Sequence, residues 1–175
     1  MQSVQAPPQP AQPKPPAPKS EPTPKAKNED SNSKLASGLI KMASNAMQLQ
    51  IQSHLIHLNY EGENFLAIHK FLKKQYKAHQ EEFDVLSEYV RSLDFMMPMC
   101  QKGLLGACKT MKMVDSYNGK SQLLTYLRNL EEYGFQAKGL VKMAAKSDAP
   151  DIENYAAELV GDSFKSAWMI KASLR

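Results

Sequence analysis

Apolar side chains recur every three or four positions through most of the chain, which is the spacing of one face of an α-helix. The first such run follows Ser31 and Ser33, whose hydroxyl groups can cap a helix, and Gly62 offers a stop. Its apolar positions include Leu35, Leu39, Met42, Met47, Ile51 and Leu55. The pattern predicts a first helix of about 28 residues.

The second run has the most regular spacing. Asn64 can cap it, and its apolar and aromatic positions are Phe65, Ile68, Leu72, Tyr76, His79, Phe83, Leu86, Val90 and Leu93. A third run extends from Leu123 to Ala144, and a fourth starts with Asp148 and Pro150 and passes through Tyr155, Leu159, Phe164 and Trp168. The chain is therefore expected to contain four long helices and no strand.

Residues 95–119 separate the second and third runs and contain Pro98, Gly103, Gly106 and the Asn118-Gly119 turn. This composition predicts a connection that contains one short helix and runs from one end of a bundle to the other. Two short links and one long crossover are the layout of ferritin-like folds. The fold class expected from the sequence is an all-α, ferritin-like four-helix bundle.

The N-terminal segment has a different composition. Nine of the eleven prolines lie between Pro7 and Pro24, and the basic residues Lys14, Lys19, Lys25 and Lys27 face a single acid, Glu21, over residues 1–27. Such a segment has almost no apolar surface to bury and favours an extended, solvated conformation. We therefore expect a disordered arm at residues 1–30 and a folded domain at residues 31–175.

Composition excludes several classes of protein. No apolar run reaches the roughly 18 residues of a membrane-spanning helix, and the net charge of +4 is too small by itself to indicate a nucleic-acid binder, although its placement matters more than its size. The first residues lack the apolar stretch of a secretory signal, so a cytoplasmic location is expected. Cys100 and Cys108 are then expected to be reduced thiols.

Four side chains are candidate metal ligands: His57, His69, Asp84 and Glu88. Imidazole and carboxylate groups together suit iron or another divalent first-row metal. His69 and Asp84 are 15 residues apart on one predicted helix, which places them about 22 Å apart, far beyond a shared ion. If two copies of this helix cross about a two-fold axis, the histidines of one chain meet the carboxylates of the other.

Other interpretations of these residues stand beside the metal site. A histidine on an amphipathic helix is usually a packing or surface residue, and two acids one turn apart are usually solvated. His54 and His79 are expected to be structural, and Glu81 and Glu82 are expected to lie on an exposed helix face.

The stretch His57-Leu-Asn-Tyr-Glu-Gly-Glu-Asn-Phe-Leu-Ala-Ile-His69, followed by Asp84-x-x-x-Glu88, resembles the signature of the Dps family of mini-ferritins. Ala167-Trp-Met-Ile-Lys-Ala172 is similar to the C-terminal helix of that family. The resemblance implies a hollow dodecamer that oxidises ferrous iron with peroxide or oxygen, stores the ferric mineral and in some members coats DNA. It assigns His57 and His69 of one subunit, with Asp84 and Glu88 of its two-fold partner, as iron ligands.

Two positions depart from the family pattern. Lys73 stands where an aspartate ligand is usual, and it lies one turn from His69 on the same predicted face. A cation there removes a donor and repels a divalent ion, so the alternative is a ferroxidase-impaired cage in which Lys73 pairs with the partner's carboxylates. Leu58 replaces a tryptophan that is common beside the site.

Further candidate sites are less specific. Acidic residues near and along the last helix could line an iron-entry pore at a three-fold axis of such a cage: Asp148, Asp151, Glu158 and Asp162. Methionines around the two cysteines could bind Cu(I), but they also suit the packing of an interface. The proline-rich arm, with Pro13-Lys-Pro-Pro16, could instead be a ligand for an aromatic groove.

The leading hypothesis is an iron-oxidising and iron-storing cage, a ferroxidase with iron as its only cofactor. The alternative is a cage that acts mainly by binding DNA through Lys14, Lys19, Lys25 and Lys27, in association with the nucleoid. One arm carries too few lysines for strong binding, but twelve arms would act together.

Overall fold

In a computed structural model, residues 24–108 and 111–175 are described, with side chains from residue 29 onward. They form five helices: α1 (Pro24–Asn59), α2 (Phe65–Ser92), α3 (Gln101–Gly106), α4 (Gly119–Lys146) and α5 (Pro150–Ser173). No strand occurs in these two ranges. The predicted all-α bundle, with one short helix in its long middle connection, is confirmed. None of the described helices is both long and apolar enough to cross a lipid bilayer.

Helix α1 begins at Pro24, so the predicted start near Ser31 was wrong. Proline is well suited to the first turn because its missing N–H needs no partner there. The Lys34 ammonium lies 2.6 Å from the Asp30 carboxylate, one turn earlier, and the Ser31 hydroxyl bonds the Ser147 hydroxyl at 2.7 Å instead of capping α1. Residues 1–23, which include Lys14 and Lys19, lie outside the described residues, as do the side chains of Lys25 and Lys27.

A tight link joins α1 to α2 and fixes the angle at which they meet. Asn64 is the N-cap residue of α2, as predicted, but its φ of 60° places it in the left-handed region and its side chain makes no capping hydrogen bond. Gly62 has a φ of 149°, which side chains rarely tolerate. The Tyr60 hydroxyl donates to the Glu63 carbonyl at 3.0 Å and closes the link.

The core lies between α1, α2, α4 and α5, with α1 packed against α2 and α4, and α4 against α5. The largest fully buried side chains are Tyr126, Tyr133, Leu35, Leu39, Met42, Leu49, Ile56, Leu72, Leu86, Leu123, Leu130 and Leu140. Helix α3 contacts α1.

Buried amides attach the long connection to the bundle. The Gln48 side-chain oxygen accepts from the Met111 N–H at 3.0 Å, and Gln52 and Asn129 both donate to the Lys112 carbonyl, at 2.9 and 2.8 Å. These bonds satisfy backbone groups that a buried loop would otherwise leave unpaired. The crossover therefore follows a defined path along α1 and α4.

Candidate metal centre

His57 and His69 lie side by side where α1 ends and α2 begins. Their rings stack with centroids 3.7 Å apart and planes 24° from parallel. The pairing is reciprocal: His57 Nδ1 lies 2.8 Å from the His69 carbonyl oxygen, and His69 Nδ1 lies 3.0 Å from the His57 carbonyl oxygen. The link between the helices thus brings together two side chains that are twelve residues apart in sequence.

These hydrogen bonds select one form of each neutral ring. A carbonyl oxygen only accepts, so each Nδ1 carries the hydrogen and each Nε2 keeps its lone pair. Within the described part of the chain, neither His57 Nε2 nor His69 Nε2 makes a hydrogen bond. A backbone partner on one ring nitrogen that orients the other is the usual arrangement of a metal-binding histidine.

Aromatic side chains surround the pair. The Tyr76 ring meets that of His57 edge-on at 5.5 Å and stacks on His54 at 4.2 Å, while Phe65 lies 5.2 Å from His69. His57 is buried and His69 is half-buried. The sequence identified Tyr76 only as a member of the apolar stripe. Its place two turns after His69 was the one signal that it would lie beside the histidines.

Asp84 and Glu88 lie one turn apart on α2, and both are exposed. Helix α2 is continuous from Phe65 to Ser92, so the 15 residues from His69 to Asp84 span about 22 Å. The described residues contain no group of three or more histidine, cysteine, aspartate or glutamate side chains able to share a metal ion. The chain therefore brings the histidines together but keeps the carboxylates at the other end of α2.

Lys73 lies one turn after His69 and is exposed. Among residues 29–108 and 111–175 it has no ion-pair partner. Its ammonium group is therefore available to a carboxylate, phosphate or other anion brought from outside the chain. Leu58, the other departure from the pattern expected of a mini-ferritin, has 65% of its surface exposed.

Five exposed apolar side chains lie on the last turns of α1 and the first turn of α2. They are Ile51, Leu55, Leu58, Phe65 and Leu66, each at least two-fifths exposed. Apolar residues at positions 51, 55 and 58 are three and four apart, so they form one stripe on the outside of α1. An exposed apolar stripe on a folded domain is typical of a protein–protein contact.

The interpretation of His79 as structural agrees with its burial, but the prediction that Glu82 is exposed was wrong. His79 Nδ1 lies 2.8 Å from the Glu82 carboxylate, and His79 Nε2 lies 2.8 Å from the Tyr126 hydroxyl. The side chains of His79 and Glu82 are only 4% and 14% exposed. Helical spacing places Glu82 one turn from the buried His79, which was the signal for its inward position.

The acidic residues proposed for a pore are all exposed: Asp148, Asp151, Glu158 and Asp162. Asp148 precedes α5 with a φ of 53°. The other three are seven and four residues apart on α5, so they share one stripe. Burial, followed by the charges of Asp151 and Glu158, raises the pKa of Tyr89. The stripe therefore forms a negative surface beside α2.

The two cysteines of the methionine-rich connection lie in different surroundings. Cys100 caps α3 and accepts from the Gly103 N–H at 3.4 Å, whereas the Cys108 sulfur lies 3.2 Å from both the Ser44 hydroxyl and the Gln48 amide nitrogen. Both thiols are free. The cysteines therefore contact different elements of the fold.

Comparison with known proteins places this bundle in a family. A family model for the ferritin-like domain matches residues 37–175. No curated protein sequence matches the chain. Solved structures of Dps proteins match the chain. The Dps protein of Vibrio cholerae, described as one of the ferritin-like diiron-carboxylate proteins, is 20% identical and superposes with a TM-score of 0.76. This match covers 83% of the present chain and 92% of the Vibrio cholerae chain. The Dps protein of Thermosynechococcus elongatus is 16% identical and has a TM-score of 0.79, and the match covers 85% of this chain and 94% of its own.

An antigen of Treponema pallidum matches over 89% of this chain and 99% of its own, with a TM-score of 0.78 and 20% identity. Identities this low establish a common fold, and the domain match covers most of the bundle from α1 to the last residue. The chain therefore belongs to the ferritin-like family and has the fold of Dps proteins.

Proposed function

We propose that this protein is a mini-ferritin: a cage of identical subunits that oxidises ferrous iron, with hydrogen peroxide or oxygen as oxidant, and stores the ferric product. The observation that carries the proposal is the His57–His69 pair, in which backbone carbonyls fix both rings and leave both Nε2 lone pairs free. Neutral imidazole with an available lone pair is the form that binds ferrous iron.

The remaining ligands are Asp84 and Glu88 of a two-fold partner. The length of α2 supports this assignment, because a single chain keeps its own carboxylates about 22 Å from its histidines. Phe65, which is exposed and lies 5.2 Å from His69, gives the partner an apolar surface to cover beside the histidines. A two-fold axis generates two equivalent sites for each pair of subunits.

The protein groups have distinct tasks in the proposed reaction. The imidazoles bind ferrous ions without adding charge, and the partner's carboxylates offset the positive charge of the metal. Two ferrous ions each give one electron to hydrogen peroxide, which takes up two protons and becomes water. The acidic stripe of α5 attracts further cations toward the cage, in keeping with a role in iron entry.

Lys73 supports a second candidate, a cage with impaired iron oxidation that acts through assembly or DNA binding. Its exposed, unpaired ammonium lies one turn from His69 within the described surface. Across a two-fold interface it would pair with Asp84 or Glu88 and replace the charge of a bound ion. Ferrous binding would then be weak at every site.

Mixed cages test the inter-subunit site directly. His57→Ala and Asp84→Ala each remove one side of the site, so each variant alone should lose rapid peroxide-dependent oxidation of ferrous iron. When the two variants are unfolded together and reassembled, a mixed pair contains one site with both native halves. Random mixing should restore about a quarter of the native rate. If mixing restores nothing while native protein treated identically recovers its rate, the inter-subunit site is wrong.

The two candidates differ in what Lys73→Asp does. Anaerobic titration with ferrous ions, followed by peroxide, measures binding and oxidation separately. If the native protein oxidises iron, the first proposal stands, and Lys73→Asp should tighten ferrous binding by removing the repulsion. If only the variant binds and oxidises iron, the second candidate is the correct one. Lys74→Asp, a neighbouring exposed position, is the matched control for charge.

A further inference from the structure

A buried chain of hydrogen bonds joins α2 to α4 inside the bundle, away from His57 and His69. The Tyr126 hydroxyl lies 2.8 Å from His79 Nε2, and His79 Nδ1 lies 2.8 Å from the Glu82 carboxylate. The Tyr126 side chain is fully buried. Packing alone does not require three polar groups in series, since burying them costs free energy that an apolar set would avoid.

Glu82 determines where the hydrogens of this chain lie. A carboxylate only accepts, so the neutral His79 ring carries its hydrogen on Nδ1 and presents the Nε2 lone pair to Tyr126. The phenol therefore donates to Nε2. The hydroxyl also donates to the Gln75 side-chain oxygen, but this bond is longer, at 3.2 Å, and an amide oxygen is less basic than Nε2.

We propose that Tyr126 is a one-electron redox site whose proton is retained by His79. Oxidation removes one electron from the phenol, the O–H bond breaks, and the proton forms an N–H bond at His79 Nε2. The products are a neutral tyrosyl radical and an imidazolium ion paired with the Glu82 carboxylate. The summed charge of Tyr126, His79 and Glu82 changes from −1 to zero, as it must when one electron leaves and the proton stays. The oxidant is a strong one-electron oxidant, of the class formed when ferrous ions react with peroxide.

The structure distinguishes Tyr126 from the other tyrosines. Tyr133 lies two turns further along α4 and is equally buried, but its hydroxyl makes no hydrogen bond among the described residues. Burial and then the charge of Glu82 raise the pKa of Tyr133, so a carboxylate is near, but no base lies within hydrogen-bond distance of this phenol to take its proton on oxidation. Tyr117 is 85% exposed, so a radical there would meet other molecules and decay quickly.

The position of this series of hydrogen bonds suits a group that supplies electrons to oxidants formed elsewhere in the protein. His79 follows His69 by ten residues on the continuous helix α2, which separates them by about 15 Å. An oxidant formed near the histidine pair can therefore take an electron from the bundle interior without entering it. This chemistry depends only on Tyr126, His79 and Glu82, so it does not require that the proposed iron site be active.

The test uses the full-length, iron-free protein and a photogenerated ruthenium(III) tris-bipyridine oxidant, with radicals detected by freeze-quench electron paramagnetic resonance. Native protein should give a persistent tyrosyl signal that Tyr126→Phe removes and Tyr133→Phe retains. In native protein, pulsed measurements in deuterated water should show an exchangeable hydrogen coupled to the radical. Because light supplies the oxidant, the result is independent of any ferroxidase assay.

His79→Gln tests the proton acceptor, because an amide can accept a hydrogen bond but cannot hold the proton. Radical formation should slow by about 100-fold, as expected for loss of a positioned base. Circular dichroism melts establish that each variant is folded. A persistent signal in Tyr126→Phe, loss of the signal in Tyr133→Phe, or an unchanged rate in folded His79→Gln would each overturn the proposal.

Discussion

At the scale of single residues, hydrogen-bond partners decide the chemistry of side chains that look alike in sequence. His57 and His69 each bond a backbone carbonyl through Nδ1, whereas His79 bonds the Glu82 carboxylate on one side and the Tyr126 phenol on the other. The first two rings keep a free lone pair, and the third does not. The same residue type therefore serves as a candidate ligand in one place and as a proton acceptor in another.

Two buried tyrosines should make stability fall at alkaline pH. Burial, followed by the charge of Glu82, raises the pKa of both Tyr126 and Tyr133 well above the ordinary value of 10.0. The folded protein therefore keeps protons that the unfolded chain releases. The contribution of these two phenols to the free energy of unfolding is therefore complete below pH 10.0, the pKa of a tyrosine in the unfolded chain. Above that pH it declines by about 1.4 kcal/mol per pH unit for each tyrosine.

Urea unfolding from about pH 8 to about pH 11 measures this decline. Tyr133→Phe removes one of the two protected phenols, so the decline of the unfolding free energy with pH should lose the contribution of one tyrosine. At neutral pH the variant should be no less stable than the native protein, because the hydroxyl that it loses is buried and makes no hydrogen bond among the described residues. Tyr117→Phe, at an exposed position, is the matched control. An unaltered slope in Tyr133→Phe would show that this phenol is not protected by folding.

At the scale of helices, the start of α4 is fitted against the link between α1 and α2. A Cβ atom at Gly119 would lie 2.6 Å from the Glu61 carbonyl oxygen and 2.8 Å from the Tyr60 ring. A backbone carbonyl cannot move aside as a flexible side chain can. Asn118, which caps α4 by accepting from the Ser121 N–H at 3.0 Å, fixes the same corner.

Gly119→Ala should therefore destabilise the bundle by about 1–3 kcal/mol, as overpacking of a tight contact does. The matched control is Gly139→Ala on the same helix, where no described atom lies within 4 Å of the added Cβ. That change should stabilise the protein by about 0.5–1 kcal/mol, because alanine loses less backbone entropy in a helix. Thermal or urea unfolding gives both values, and equal effects would contradict the predicted contact.

At the scale of the whole molecule, the exposed apolar stripe of Ile51, Leu55 and Leu58 on α1 predicts self-association. Leu55 is the middle residue of this stripe and is half exposed. Leu55→Asp places a charge on a surface that a neighbouring subunit would bury, so it should shift the protein toward monomers. Sedimentation velocity measures the shift. Leu55→Met keeps the surface apolar and should assemble normally, whereas assembly of Leu55→Asp at native strength would place the interface elsewhere.

The N-terminal lysines predict a contact with DNA that depends on multiplicity and on salt. A protein lacking residues 1–23 loses Lys14 and Lys19 and keeps α1 from Pro24 onward. If the arms bind phosphates, native cages should retard DNA in gel-shift experiments at low salt and lose that ability steeply as salt rises. The shortened protein should retard DNA much less. Equal retardation by both would remove the arm from the proposed interaction.

The sequence by itself determined the helices and their order, because each long helix buries one apolar face and that periodicity is visible residue by residue. It also indicated that His69 and Asp84 of one chain could not share an ion, since helical rise converts 15 residues into distance. The start of α1 was misplaced: the helix begins at Pro24, and Ser31, the predicted cap, instead bonds Ser147, a residue distant in sequence.

Only the tertiary structure decided the partners of the polar side chains. The reciprocal bonds of His57 and His69 depend on the angle between α1 and α2, and the series from Glu82 through His79 to Tyr126 depends on the register of α2 against α4. Periodicity reports which face of a helix is buried, but not which residue of another helix it meets. Hydrogen bonds depend on distances of a few tenths of an ångström, so packing between helices fixes them.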